Sequence, residues 1–373
     1  MQHRKPSGFF IGIPLVIYIL TVALSIFVAA VPELALFDVF LLVQAYAIFF
    51  YLANRLKTYS DLVFGIQTLA VTMLAQGILI VGLGGLGASA VGKKFSIGPM
   101  GLSVWPDGRV AGSLTSAVVA GSLIAILWLV VLPLNLTTRG QRTWVLTGLS
   151  LVFGLFGILL TQTRGALLTV GVGAIIIGVC MFQKRWLPFW AIALSLFMAI
   201  ASAYPLAMML QKRVVSGDDG SAESRMHLSL IALQTIEKQP IFGHGAGNCH
   251  LACLPVANSG AFRSEWYYTI HCKYLLVWVE TGIIGLVAFL VVLGNSIRQG
   301  LVAWRQRQRY VSPLGLGCVA AIVGHMVHML VDIFNSRSQV QTLWTILGIT
   351  AAVYQLSLTS PSQLGRGGDS HVE

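Results

Sequence analysis

Long apolar runs alternate with short polar segments along almost the whole chain. An apolar run of about 20 residues is long enough to cross the roughly 30 Å hydrocarbon core of a bilayer as a helix. The pattern therefore predicts an all-α membrane protein with about ten transmembrane helices. The predicted spans cover about 9–30, 33–53, 62–83, 112–133, 143–161, 165–182, 186–204, 273–296, 313–331 and 340–358.

The longest polar stretch, residues 205–272, lies between two of these spans and is predicted to be a large loop. Ser221 is suited to begin a helix, and the sequence reaches Pro240 before that helix is broken. Apolar positions recur there at helical spacing, which predicts an amphipathic helix lying on the outer membrane surface. These positions are Leu228, Ile231, Ala232, Thr235 and Ile236.

A glycine-rich turn, "PIFGHGAGN", follows this helix and contains Gly245 and Gly247. Glycine lets a backbone approach a ligand closely and present its N–H groups, so both residues are candidate substrate contacts. A glycine-rich turn of this kind more often connects two elements without binding a ligand.

Composition supports the membrane assignment. Hydrophobic residues make up 56% of the 373 residues and charged residues only 10%, whereas a soluble domain has about 25% charged residues. Mean hydropathy is +0.80. We therefore expect residues 1–373 to form a single polytopic membrane domain with an uncleaved first span. The net charge of +11 is not a sign of nucleic-acid binding, because most basic residues stand in short connections between apolar runs.

These basic residues predict the orientation. Placing both termini in the cytoplasm makes every inner segment basic, as the positive-inside rule requires, and makes residues 205–272 extracytoplasmic. The inner basic residues are Arg4, Lys5, Arg55, Lys57, Arg139, Arg142, Lys184, Arg185, Arg298, Arg305, Arg307, Arg309 and Arg366.

The same orientation leaves several ionisable residues on the outer side. Arg164 is the most unusual, because it stands between two apolar runs with no polar loop around it, and such a residue is a functional candidate by default. A lipid-anchoring arginine is the alternative. His271 stands at the outer mouth of the eighth span, where it is either a proton acceptor or a plain interfacial histidine.

Arginine binds phosphate oxygens through its two-pronged guanidinium, and neutral histidine accepts a proton near physiological pH. A substrate with a long apolar tail and a diphosphate, such as a polyprenyl diphosphate carrying sugars, suits this set. The histidine would deprotonate an acceptor hydroxyl, and the arginines would hold the departing diphosphate.

Three stretches resemble the superfamily of O-antigen ligases and O-antigen polymerases of the Wzy_C type, which are polytopic bacterial glycosyltransferases. They are "TRG" at Thr163–Gly165, the segment from Ser224 to Asn248 that ends "PIFGHGAGN", and "HCKYLLVWVETGIIG", which is similar to a signature H-N-x-x-L…E-x-G-x-x-G. Together they cover about residues 155–295. Cys272 stands where the family commonly has Asn, Ser or Gln.

The resemblance implies a GT-C-like membrane fold and transfer of a glycan from undecaprenyl diphosphate to a sugar hydroxyl, without a metal or other cofactor. The transfer would take place on the external side of the bacterial inner membrane. It implies His271 as the catalytic base and Arg164 and Arg225 as diphosphate contacts. Arg109 is a further candidate anion contact, since the family often has an arginine before a similar span; a solvated loop charge is equally compatible.

The stretch "HMVHMLVD" places His325, His328 and Asp332 on one helical face near the outer end of the ninth span. The histidines either line the acceptor cavity or hydrogen-bond between helices, and Arg337 just beyond them is a candidate contact for donor or acceptor. Glu280 is expected to pack rather than to react. For Cys249 and Cys253 a disulfide is favoured over a zinc site.

Three kinds of function remain open on the sequence. The first is transfer of a lipid-linked glycan, either to a lipid core as in lipopolysaccharide (a ligase) or to another repeat unit (a polymerase of an exopolysaccharide, capsule or O-antigen). The second is transport of lipid-linked sugars, and the third is an inactive scaffold among other polysaccharide-assembly proteins. The gathering of ionisable residues on the outer side favours the first. No nucleic-acid partner is expected. The expected partners are membrane lipids, the lipid-linked glycan donor and an acceptor that is a glycan or a lipid-linked sugar.

Overall fold

A computed structural model of the protein describes residues 9–97, 100–114, 116–137, 141–186, 221–258, 269–306, 308 and 310–359. Within these ranges the chain is almost entirely helical, as predicted. The helices are α1 (Ile13–Leu24), α2 (Pro32–Arg55), α3 (Tyr59–Gly85), α4 (Ala117–Thr137), α5 (Gln141–Thr161), α6 (Arg164–Gln183), α7 (Ser221–Lys238), α8 (Cys249–Ala257), α9 (Lys273–Arg305), α10 (Val311–His328) and α11 (Arg337–Ser357).

Seven helices in the described part of the chain are long and apolar enough to cross a membrane. The prediction of a polytopic all-α membrane protein is confirmed, whereas the number of ten spans is not. The seven are α2, α3, α4, residues Thr143–Thr161 of α5, α6, α9 and α10.

The three remaining predicted spans have different outcomes. The first, 9–30, holds a shorter apolar helix over Ile13–Val28. The seventh, 186–204, falls almost wholly outside the described residues. The last, 340–358, is the 21-residue helix α11, which does not reach the hydropathy of the other seven.

A small antiparallel sheet lies between α3 and α4 and was not predicted. Its strands are β1 (Lys94–Ile97), β2 (Met100–Val104) and β3 (Val110–Gly112), in the order β1-β2-β3. Lys94 pairs with Ser103 and Ser103 with Gly112. The fourth span therefore begins at Ala117, several residues later than the predicted start at 112, because β3 ends at Gly112 and a turn follows it at Ser113.

The described residues divide into two compact units. The first unit contains the residues up to Leu20, Val39–Ala174 and Val287 onward, and the second contains Thr21–Asp38 and Ile175–Leu286.

Helices α4 and α10 form the centre of the first unit. Most residues of both helices are buried, unlike those of the more peripheral α5. Small residues let their backbones approach: a Cβ on Gly317 of α10 would lie 2.6 Å from the carbonyl oxygen of Val130 in α4. Close packing through small residues is the usual way in which membrane helices associate.

In the second unit, α7 packs on α8. The buried side of α7 consists of the five residues that were predicted to form its apolar face, Leu228, Ile231, Ala232, Thr235 and Ile236. Ile231 contacts a cluster with Val256, Ala257 and Cys253 of α8. The predicted helix between Ser221 and Pro240 is thus confirmed, and its apolar face is covered by protein.

Candidate functional site

The predicted site residues fall into both units. Arg109, Arg164, His325, His328 and Arg337 lie in the first unit. The second unit holds Arg225, Gly245, Gly247 and His271. Each group has its own local geometry.

In the first unit, His325 and His328 stand one turn apart at the end of α10. Both side chains are buried, at 1% exposure, and their ring centroids are 5.7 Å apart. His325 Nε2 lies 3.2 Å from Ser122 Oγ on α4. His328 Nε2 lies 3.7 Å from Asp332 Oδ2. The three side chains predicted to share a helical face therefore lie close together, although α10 ends at His328 and Asp332 lies beyond it.

Gln339 on α11 closes this arrangement. Its Nε2 donates to Asp332 Oδ2 at 3.0 Å and to Ser122 Oγ at 3.3 Å. A chain of polar contacts therefore runs from Asp332, which is partly exposed, through Gln339 and Ser122 to the buried His325. We call Ser122, His325, His328, Asp332 and Gln339 the α10 polar cluster.

The start of α6 packs directly on this cluster. Gly165 leaves no room for a side chain, because a Cβ there would overlap Cδ2 and Nε2 of His328. Thr163 Oγ1 donates to the carbonyl of Ala117 at 3.1 Å, which fixes the preceding turn to α4. Arg164 thus lies between Thr163, which is bonded to α4, and Gly165, which packs on the His328 ring.

Two non-glycine residues with positive φ flank the same place. Gln162 (φ 48°) precedes the turn into α6, and Phe334 (φ 49°) follows Asp332. Phe334 is buried and packs edge-on against His325, with centroids 4.8 Å apart. Such backbone strain costs of order 1–3 kcal/mol and is concentrated at functional sites.

Arg337 and Arg109 are less closely associated with the cluster. Arg337 is exposed at the start of α11, and its Nη2 donates to Gln44 Oε1 at 2.9 Å. Arg109 lies beside the small sheet, where its guanidinium pairs with Asp107 and lies over the Trp105 ring. The structure does not bring Arg109 or Arg337 together with the α10 polar cluster, and their substrate contacts stay predictions.

In the second unit, the glycine turn lies against a break in α9. Gly282 has φ 69° and ψ −174°, which interrupts the helix. The backbone groups freed by the break are bonded by the turn: His244 N donates to Val279 O and Gly245 N to Glu280 O, both at 2.8 Å, and Ile283 N donates to Pro240 O at 2.9 Å. Non-helical backbone at membrane depth requires such partners.

The carboxyl group of Glu280 also belongs to this contact. The backbone N–H groups of Gly247 and Cys249 donate to it, and Lys273 and Asp38 are its charged neighbours. Glu280 therefore joins the glycine turn to the half-helix that starts at Lys273. This agrees with the expected packing role and gives it a specific form.

Asn248 fixes the other side of the glycine turn. It is buried, accepts from Val31 N at 2.8 Å, and donates to Val31 O at 3.1 Å and to Ala246 O at 2.8 Å. Ala246 N donates to Ser25 Oγ at 3.0 Å. Gly245 packs against Ala29 with no room for a Cβ. The N–H of Gly245 is therefore already used inside the protein, and its contact with a ligand stays a prediction.

The two ionisable residues expected to act in this unit differ in exposure. Arg225 is exposed in the early part of α7. His271 is partly exposed two residues before α9 begins, and its Nδ1 atom is buried. Residues 259–268, which precede it, lie outside the described residues.

Cys249 and Cys253 are free thiols on one face of α8, so the disulfide favoured from the sequence is not found. Their sulfurs are 3.9 Å apart, well beyond the S–S bond length of about 2 Å. The hydrogen bond from Cys249 and the nearby Thr235 hydroxyl lower the pKa of Cys253. The contact with Cys253 and burial raise the pKa of Cys249 well above its ordinary value. Among the described residues, no group of three or more His, Cys, Asp or Glu side chains could hold a metal ion.

Comparison with known proteins finds a family match for the region that contains the turn into α6 and the glycine turn. Residues 149–290 match the O-antigen ligase family model. The resemblance inferred from the sequence is thereby confirmed. The matched range includes Arg164, Arg225, the glycine turn, His271 and the break at Gly282. It supports an enzyme that acts on glycans by glycosyl transfer of the ligase and polymerase type, in a multi-pass membrane protein.

A comparison with curated proteins finds no match. Among solved structures, the chain is similar to one described under "Structural coordination of polymerization and crosslinking by a peptidoglycan synthase complex". The identity is 18%, the alignment covers 93% of this chain and 98% of that chain, and the TM-score is 0.47.

Sequence reasoning missed several residues that organise both units. Ser122 and Gln339 look like ordinary small or amide residues in apolar helices, and only the structure brings them to His325. Asn248 had a signal, since an amide directly after a glycine turn often satisfies backbone groups. The kink at Gly282 was missed because a single glycine in an apolar run is common in membrane helices.

Proposed function

We propose that the protein transfers a glycan from an undecaprenyl-diphosphate-linked donor to a sugar hydroxyl of an acceptor, on the outer face of the bacterial inner membrane. The observation that carries the proposal is the match of residues 149–290 to O-antigen ligases, a range that contains Arg164, Arg225 and His271. The acceptor is a lipid-linked core or glycan, as for a ligase.

The transfer has a simple balance of bonds. His271 takes the proton of the acceptor hydroxyl, and the oxygen attacks the anomeric carbon of the donor sugar. The bond from that carbon to the diphosphate oxygen breaks, and undecaprenyl diphosphate leaves with the bonding electrons. Histidine is the side chain most often used as a general base, which suits this first step.

Arg164 and Arg225 receive the charge of the leaving group. A guanidinium donates two parallel hydrogen bonds to phosphate oxygens, and such bonds are stronger away from bulk water. Arg109 and Arg337 are further candidate contacts, and Gly245 and Gly247 shape the turn next to Glu280. This scheme uses side chains alone, so we propose a metal-independent reaction.

The decisive test is transfer by purified protein in nanodiscs, using an undecaprenyl-diphosphate glycan and a lipid-linked acceptor. We expect His271→Ala to abolish transfer, while His250→Ala, which changes an exposed histidine of α8 with no proposed role, keeps it. Full transfer by His271→Ala would show that His271 is not the base.

Arg164→Lys separates a guanidinium contact from a simple positive charge. Lysine keeps the charge but cannot form the two-pronged bond. We expect the donor KM to rise about tenfold, the size of about 1.4 kcal/mol, with the acceptor KM unchanged. An unaltered donor KM would remove Arg164 from the diphosphate site.

Lipid-linked products in cells that lack the gene distinguish the two acceptors. Accumulation of long, unlinked chains is expected for a ligase. Accumulation of single repeat units would instead assign the protein as a polymerase. Movement of lipid-linked sugar across vesicles by purified protein, without a new glycosidic bond, would favour a transporter.

A further inference from the structure

The proposed chemistry uses no residue of the α10 polar cluster, and Asp332 is the carboxylate of that cluster. Asp332 follows α10 and is 14% exposed at its side chain, whereas His325 and His328 are 1% exposed. Asp332 is thus the point at which the buried cluster meets the outside of the first unit.

One oxygen of this carboxylate is held by the protein. Oδ2 accepts from Gln339 Nε2 at 3.0 Å and lies 3.7 Å from His328 Nε2. The other oxygen, Oδ1, has no hydrogen-bond partner within the described part of the chain. An ionised carboxylate can accept about four hydrogen bonds, so the cluster leaves the capacity of Oδ1 unused.

The supports behind Asp332 are rigid. Gln339 is buried, lies in the first turn of α11 and is fixed by the capping contacts with Ser336 as well as by Ser122. His328 is held from behind by Gly165. Positive φ at Phe334 turns the chain directly after the carboxylate. A carboxylate held in this way is prepared for a ligand before the ligand arrives.

The ligand must carry hydrogen-bond donors. A carboxylate repels phosphate, and the described residues form no group of three or more His, Cys, Asp or Glu side chains that could hold a metal ion. A glycan is rich in hydroxyl groups, each of which can donate one hydrogen bond. Arg164, the proposed diphosphate contact, is adjacent to Gly165, which packs on the same His328 that faces Asp332.

We propose that Asp332 binds hydroxyl groups of the sugar that is attached to the diphosphate of the donor, and that His328 and Gln339 position its carboxylate. The inference rests on the proposed function. It assigns the first unit a sugar-binding residue next to its phosphate-binding residue, so that the two together recognise the sugar diphosphate.

The test measures binding of two lipids to the protein in nanodiscs. One is undecaprenyl diphosphate alone and the other is the same lipid carrying its glycan. Asp332→Asn keeps the shape and a carbonyl oxygen for Gln339 but removes the charge. We expect about tenfold or more weaker binding of the glycan-bearing lipid, the size of one hydrogen bond to a charged group, and no loss for the bare lipid.

Two further variants separate recognition from folding. Gln339→Ala should weaken binding of the glycan-bearing lipid less than Asp332→Asn does, because it removes one support of the carboxylate but keeps the carboxylate itself. Glu33→Gln, which changes an exposed acid at the start of α2, should alter neither affinity. Thermal unfolding in the same nanodiscs identifies a variant that is merely unstable, and Asp332→Glu, which restores the charge, should then recover part of the selectivity.

The outcomes are distinct. Unchanged binding of both lipids by Asp332→Asn overturns the inference, as does an equal loss for both. A rise in the acceptor KM with unchanged donor binding overturns the assignment to the donor sugar. Failure of the wild-type protein to bind either lipid overturns the proposed function, and the inference with it.

Discussion

Cys249 and Cys253 are one helical turn apart on α8, and their surroundings give them different chemistry. Cys249 is buried and donates toward the sulfur of Cys253, which is more exposed and also lies 3.6 Å from Thr235 Oγ1. Hydrogen bonds of this kind stabilise a thiolate, which is the reactive form of cysteine. The pKa of Cys253 is therefore lowered and that of Cys249 raised.

We predict that a maleimide labels Cys253 before Cys249 in the folded protein. Because a lowered pKa leaves more thiolate at about pH 7–8, the rate for Cys253 should reach half its maximum below the ordinary thiol pKa of 9. Cys249→Ala removes a donor, so the midpoint for Cys253 should move upward. Peptide-resolved mass spectrometry follows both thiols, and equal rates at neutral pH would contradict the prediction.

Residues that are unusual for their setting were the ones predictable from the sequence. Arg164 between two apolar runs and the histidines of "HMVHMLVD" violate the apolar pattern, and the structure brings Gly165, His328 and Asp332 together. Ser122 and Gln339 could not be predicted. Their role depends on which faces of α4 and α11 meet α10, and residue spacing within one helix does not contain that information.

At the scale of elements, the break in α9 determines how the second unit is built. The turn from Pro240 to Asn248 bonds the backbone on both sides of Gly282, and the carboxyl group of Glu280 bonds the turn. Gly243 and Gly282 both have positive φ and pack against each other's segments. The "E-x-G" part of the signature is therefore the attachment point of the glycine turn.

We predict that Gly282→Ala is strongly destabilising while Gly294→Ala in the same helix is not. Alanine at 282 would have to adopt positive φ with extended ψ, a region that is essentially limited to glycine and costs about 1–3 kcal/mol, and its Cβ would overlap the carbonyl of Ile241. At Gly294 the space that a methyl group would occupy is open, with no neighbouring atom within 4 Å. Alanine there should be neutral or favourable by about 0.5–1 kcal/mol.

Thermal unfolding in detergent measures the two variants side by side. Gly282→Ala should unfold several degrees below the wild-type protein, and Gly294→Ala at or slightly above it. Equal midpoints for the two variants would mean that the backbone break is not needed for stability.

Helices were predictable to within a few residues where an apolar period or a cap defined them. Helix α7 was expected between Ser221 and Pro240 and spans Ser221–Lys238. The small sheet was not expected, because its strands have only three to five residues. Its third strand is held to α3 by Gln76, which donates to Ala111 O at 3.1 Å, and a contact between distant segments leaves no periodic signal.

At the scale of the whole molecule, hydropathy defines the class of protein better than the number of spans. Helix α11 has 21 residues but carries Arg, Ser, Gln and Thr in its first turns, and most of its other positions are buried by protein. A helix shielded in this way does not need an apolar surface. Counting apolar runs therefore cannot decide whether such a helix spans the bilayer.

The distribution of basic residues still makes a prediction for the whole chain, since it places both termini in the cytoplasm and the small sheet outside. Lys57, between α2 and α3, and Lys93, just before β1, are both exposed and lie at opposite ends of α3. In a variant whose native cysteines are replaced by serine, a membrane-impermeant maleimide should label Lys93→Cys in intact spheroplasts. Lys57→Cys should be labelled only after the membrane is permeabilised. The reverse pattern would place the α10 polar cluster and His271 on the cytoplasmic side. The proposed reaction would then need a donor presented in the cytoplasm.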